Sequence, residues 1–141
     1  MTRVAQCHCG QLQLSCEGEP YPVVACHCQL CQRRTGSLFH IAAWYEKHRV
    51  VFEGRASQYT RDSGDAGLEM TFNFCPQCGT SVWWQSPRSE GPTAGKIGVA
   101  AGCFADCDFP PPTVSIYEKH KHSWIDAPEG TPCFKAGIPP A

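Results

Sequence analysis

The chain has 141 residues, with 12 Lys and Arg against 13 Asp and Glu, a formal charge of −1. That balance excludes the basic footprint of a typical nucleic-acid binder, and 42% hydrophobic with 18% charged residues excludes a disordered chain. The length suits one domain with a modest core of its own, and 11 cysteines are the outlier.

Met1 to Gly10 has no apolar core and carries two cysteines, so it does not read as a signal peptide. Gln11 to Cys16 alternates polar and apolar residues, the period of a half-buried strand, with Cys16 on the apolar side as a small core residue. Val23 to Cys26 is a short apolar run. Gln29 to Arg34 reads as a one- or two-turn helix stopped by Thr35-Gly36-Ser37. Phe39 to Tyr45 and Arg49 to Phe52 are rich in aromatic and branched residues and read as strands. Gly54 separates the second from Ser57 to Thr60, and Asp62-Ser63-Gly64-Asp65 reads as a turn. Leu68, Met70, Phe72 and Phe74 alternate with polar residues, the clearest strand in the chain. Strands follow at Ser81 to Gln85, Lys96 to Ala101 and Val114 to Tyr117, and the Pro/Gly-rich tail over 128–141 is expected to be loosely held. With 13 glycines, 12 prolines and no sustained helical period, the expected fold is all-β, a single domain over 1–141 with its core at about 7–124. The longest apolar stretch, Ile97 to Ala105, is too short to span a membrane. A cytosolic setting follows, where clustered cysteines bind metal more often than they form disulfides.

Seven cysteines fall into three tight units: Cys7-His8-Cys9, Cys26-His27-Cys28-Gln29-Leu30-Cys31, and Cys75-Pro76-Gln77-Cys78-Gly79. A short turn can aim closely spaced sulfurs at one point. Zinc takes four ligands in a tetrahedron. Cys7, Cys9, Cys75 and Cys78 supply four and suit a closed structural site. Cys26, Cys28 and Cys31 supply three and leave a position open, the pattern of a catalytic zinc. A remote fourth ligand for the triplet from His27, His40, Cys103 or Cys107 stays open at this stage, as does an iron–sulfur cluster. In extended backbone the middle residue points away from its neighbours, so His8 and His27 are not expected to share their neighbours' metal. His120 and His122 read as a solvated edge, Cys133 as unligated, and Trp83, Trp84 and Trp124 as core or cleft wall. Arg33 and Arg34 follow the triplet and can meet a carboxylate near the open position.

Those three units resemble the glutathione-dependent formaldehyde-activating enzyme family, which shares its domain with centromere protein V. The resemblance also rests on Thr35-Gly36-Ser37, Phe72-Asn73-Phe74, Ile116-Tyr117 and Ser123-Trp124, and runs from about Cys7 to Trp124. It implies a β-tent fold and two zinc ions per chain. Cys7, Cys9, Cys75 and Cys78 would hold the structural zinc, and Cys26, Cys28 and Cys31 the catalytic one. It implies a carbon–sulfur lyase whose partners are a small thiol such as glutathione and a small aldehyde such as formaldehyde. The chain departs from its relatives at Gly102-Cys103-Phe104-Ala105-Asp106, where they often read Gly-Thr-Leu-Asp. Three thiolates on Zn²⁺ sum to a net −1, which favours docking a thiolate over generating a potent hydroxide. Thiol-adduct chemistry is therefore expected rather than hydrolysis, with an open zinc and a free Cys103 thiol. The alternative is a non-catalytic zinc-binding module, with both zincs structural, serving protein interaction or thiol binding.

Overall fold

The computed structural model describes residues 1–62 and 69–139. Ten strands and one α-helix order as β1 (Thr2–Gln6), β2 (Gln13–Glu17), β3 (Val23–Cys26), α1 (Gln29–Thr35), β4 (His40–Glu46), β5 (Val50–Glu53), β6 (Ser57–Asp62), β7 (Glu69–Phe74), β8 (Ser81–Gln85), β9 (Lys96–Ala100) and β10 (Val114–Ile116). A β-dominated architecture results, as the strand periodicity and frequent turns require. No helix among the described residues is long and apolar enough to cross a membrane.

Two sheets carry the fold. The smaller has order β1-β2-β5, and the larger β10-β3-β4-β9-β8-β7-β6. Neighbours pair antiparallel except β10, which runs parallel to β3. Strand β4 serves both faces of the larger sheet, because successive side chains alternate. Ala43 and Tyr45 join Leu14 and Cys16 of the small sheet with Ile97 and Val99 in one core. Ala42 and Trp44 join Val24, Phe72, Trp84 and Val114 in a second. Gly98 of β9 makes that second core possible. A Cβ there would stand 2.7 Å from Trp84 Cε2 and 3.0 Å from Trp44, so only glycine lets the two indoles pack over the strand.

Most predicted elements fall within a residue or two of the observed ones. Strand β1 went unpredicted, since its pairing with β2 supplies an order that Thr2–Gln6 does not announce alone. Residue Ala101, read as strand, opens a 3-10 turn that runs to Phe104. Ser63, Gly64 and Asp65 of the predicted turn, and Leu68, lie outside the described residues. Of the segment beyond Pro128, read from composition as loosely held, residues 132–136 are tied along β10. Ser115 donates its amide to the Pro132 carbonyl at 2.9 Å, Phe134 donates to Ser115, and Tyr117 to Ala136. As the end strand of its sheet, β10 offers backbone bonds that composition cannot register, and Phe134 and Ile138 pack on the second core.

Candidate functional site

Two hairpin turns bring four cysteines together. The β1–β2 turn closes with Cys7 N–H donating to the Leu12 carbonyl, 3.0 Å, and Gly10 N–H to the Cys7 carbonyl, 3.0 Å. The β7–β8 turn repeats the device: Cys75 N–H donates to Thr80 and Gly79 N–H to Cys75, 2.9 and 2.8 Å. Gly79 has φ of 81°, which lets the turn close behind its sulfurs. His8 N–H reaches the Thr80 hydroxyl at 3.1 Å and locks one turn on the other. The sulfurs of Cys7, Cys9, Cys75 and Cys78 all lie within 4.8 Å of one another.

Sulfur spacing and donors test whether the turns suit a metal. Cys7–Cys9 and Cys9–Cys75 sulfurs are each 3.6 Å apart. A tetrahedron with metal–sulfur bonds of about 2.3 Å has edges of about 3.8 Å, so the cage has the size of a zinc site. Amides aim at the sulfurs, as thiolates require. Leu12 N–H lies 3.3 Å from Cys7 Sγ, Gln77 N–H 3.4 Å from Cys75 Sγ, and the Gln11 side-chain amide 3.0 Å from Cys75 Sγ. The Thr80 hydroxyl and amide pull the Cys78 thiol down to about 5. All eleven cysteines are free of disulfides, and this donor set can hold zinc.

The triplet is built on a strand end and a helix start. Cys26 closes β3, Cys28 caps α1 with its sulfur accepting from Cys31 N–H at 3.3 Å, and Cys31 sits in the first turn. Gly36, in the left-handed conformation, ends the helix. Cys26 and Cys31 sulfurs are 3.6 Å apart, and all three sulfurs lie within 4.8 Å. This spacing also fits zinc. Contacts from Cys26 and Cys31 lower the Cys28 thiol, while contacts from Cys28 and Cys31, then burial, raise Cys26. Among the described residues no fourth His, Cys, Asp or Glu joins this cluster.

The other cysteines and histidines join neither thiol cluster. His27 turns away from the triplet to stack on Phe39, centroids 5.5 Å apart, with Nε2 3.7 Å from Glu118. His8 is exposed. His122 meets the Gln32 side chain at 3.4 Å, and His120 reaches the cleft wall. Cys16 is buried in the first core. Cys133 is exposed and directs its thiol at the Thr131 carbonyl. Cys103, in the 3-10 turn after β9, joins neither cluster and packs against the first core. Burial, with Cys7 and Cys78 adding to it, pushes its thiol up to about 11.

The triplet opens into a cleft of about 1080 Å³. Arg33 and Arg34 both line it, Arg33 exposed and Arg34 half-buried. Arg34 lies with its guanidinium carbon 4.4 Å from the Phe72 ring centroid and 5.0 Å from that of Trp84. Arg61, which no sequence motif singled out, approaches Phe72 at 4.8 Å from β6. Its charge lowers Cys28. His40, paired with Cys26 across β3 and β4, also lines the cleft and lies 5.0 Å from Trp84. Burial, then Arg34, pushes His40 down to about 3, so it is a neutral imidazole. Of the tryptophans, Trp84 is cleft wall, Trp83 packs on Phe52, and Trp124 is 72% exposed.

The model of the glutathione-dependent formaldehyde-activating enzyme family matches residues 2–120. The chain belongs to that family. The match takes in both thiol clusters and leaves the tail outside it. A crystal structure of a Rhodobacter sphaeroides protein is similar at 20% identity over 93% of this chain and 98% of that one, with a TM-score of 0.49. No curated protein matches the chain.

Proposed function

We propose that the protein is a zinc-dependent carbon–sulfur lyase that forms or breaks a thiol–aldehyde adduct beside Cys26, Cys28 and Cys31. The carrying observation is the contrast between the clusters. Four sulfurs close one cage, whereas three sulfurs face a large cleft without a fourth protein ligand among the described residues. In this reading the family's glutathione is the thiol and a small aldehyde is the electrophile. Cys7, Cys9, Cys75 and Cys78 would hold a structural zinc, and the triplet a catalytic one.

The chemistry a zinc ion supplies at the triplet is a docking point that favours thiolate over thiol. The chain's own groups do the rest. Arg34 and Arg61 hold the carboxylate of the thiol partner and set its sulfur at the mouth of the triplet. The cleft walls bring the carbonyl carbon against that sulfur, which removes the entropy of a two-body encounter. A carbon–sulfur bond forms as the carbonyl π pair moves onto oxygen, and the oxygen takes up the proton the thiol gave up. The product is a hemithioacetal, and the reverse step is the lyase direction. His40, neutral and paired with Cys26 across β3 and β4, would hydrogen-bond to that oxygen.

X-ray absorption on the zinc-loaded protein, with and without glutathione, tests the assignment. The expected result is four sulfurs at one zinc and three sulfurs plus a light atom at the other, with the light atom replaced by sulfur on adding glutathione. Four protein sulfurs at both zincs before glutathione is added would overturn it. Adduct formation from glutathione and formaldehyde, followed by carbon NMR, reports the reaction itself.

A further inference from the structure

The cleft is larger and more apolar than formaldehyde chemistry calls for. Formaldehyde has two heavy atoms and fills little more than one or two waters, at about 30 Å³ each in the liquid. A cleft of about 1080 Å³ lies just above the range of sites that take whole drug-sized ligands, roughly 300–1,000 Å³. A tripeptide thiol would use part of that space, and its charged ends have the arginines. Its amides and carboxylates have no use for Val24, Trp44, Met70, Trp84, Ile116 and Ile138, which line the same cleft. An apolar wall of this extent stays poorly hydrated until an apolar group covers it.

One part of the wall lies outside the span that the family model matches. Gly137, Ile138 and Pro139 reach the cleft from the tail, and the family match ends at residue 120. Backbone bonds from Ser115, Tyr117 and Glu118 to residues 132–136 hold that tail in place. Ile138 packs on the core that contains Trp44 and Trp84. The indoles are fixed from behind by Gly98, where a side chain has no room. The wall is therefore preorganised rather than a loose surface.

We infer that the carbonyl-derived half of the adduct is a bulky apolar group of aryl size, received by Trp44, Trp84 and Ile138, while the acidic end of the thiol half meets Arg34 and Arg61. The inference rests on the thiol-adduct reading of the same cleft and narrows it to a substrate class. Ile138 is then a specificity-determining residue.

S-benzylglutathione and S-methylglutathione are stable mimics of an aryl-aldehyde adduct and of the formaldehyde adduct. Titration calorimetry of each on the full-length, zinc-loaded protein separates the two. The benzyl form should bind about tenfold tighter or more, the scale of a filled apolar subsite. Ile138→Ala should cut that preference to about threefold or less while moving S-methyl affinity by no more than about twofold. Equal affinities, or tighter binding of the methyl form, overturn the inference and leave the glutathione reading standing. An equal loss for both ligands in Ile138→Ala overturns the tail's part in specificity. Binding of neither adduct, with none of free glutathione, overturns the thiol reading and this inference with it. A clear benzyl preference without adduct turnover from any aldehyde overturns the lyase reading and supports the cleft's preference.

Discussion

The sulfurs of Cys9 and Cys75 lie 3.6 Å apart although 66 positions separate them in the chain. One belongs to a hairpin of the small sheet and the other to a hairpin of the large one. The contact therefore joins the two sheets at their rim, beside the core they share. Zinc bound at that point would add to folding energy, since structural zinc in small sites contributes about 10 kcal/mol or more, as much as a whole domain's net stability. Cys75→Ser should leave a protein without a cooperative thermal transition. Cys28→Ser should keep the transition and lose one zinc of two. Calorimetry with metal analysis checks both, and two equally unfolded variants would contradict the division of roles.

Arg34 and Arg33 should separate on mutation. Arg34 is half-buried against Phe72 and Trp84, and Arg33 is exposed. Arg34→Gln should weaken glutathione binding by about 1.5–3 kcal/mol, the scale of a charge-assisted hydrogen bond. Arg33→Gln should cost under about 1 kcal/mol, as exposed pairs do. The same binding loss in both would show that packing of Arg34 does not matter.

Gly98→Ala should push Trp84 from its seat. Overpacking of this kind costs about 1–3 kcal/mol. The change should appear as a lower melting temperature together with altered tryptophan fluorescence. An unchanged spectrum would mean that the indole has room the structure does not show.

Alkaline pH should destabilise the fold through Cys16. Burial pushes its thiol up to about 12 from an ordinary value of 9.0, so the folded state keeps the proton that the unfolded state releases. The stability is fully present below pH 9 and is lost as pH rises from there through about 12. Tyr45, in the same core, is pushed up to about 12 by burial and acts in the same sense. Cys16→Val should flatten the decline between pH 9 and 11 in denaturant melts. Thiol alkylation followed by mass spectrometry should label exposed Cys107 and Cys133 while Cys16 stays unmodified until unfolding.

How far the sequence could be read follows from where each signal resides. The thiol clusters were legible because the spacing of their cysteines is local chemistry: one turn aims two sulfurs, whatever the rest of the chain does. Strand β7 was legible because Met70, Phe72 and Phe74 alternate with the polar Glu69, Thr71 and Asn73. Arg61 was not, because only the β6–β7 pairing sets it opposite Met70 and over Phe72. His40 was legible only as one of four possible fourth ligands, and its place in the cleft follows from its register with Cys26 across β3 and β4. The docking of the tail was invisible because backbone bonds hold it, and these carry no residue signature.

The tail also guards a strand edge. By pairing along β10 it occupies peptide groups that would otherwise stand open at the end of the seven-stranded sheet. An open edge of this kind is a template for pairing with another molecule. Cutting the chain at Pro128 would thus do more than widen a cleft. It would create a sticky margin, and preparations lacking the last residues should self-associate as their concentration rises. Sedimentation would reveal that self-association where a simple activity assay would record only a weaker enzyme.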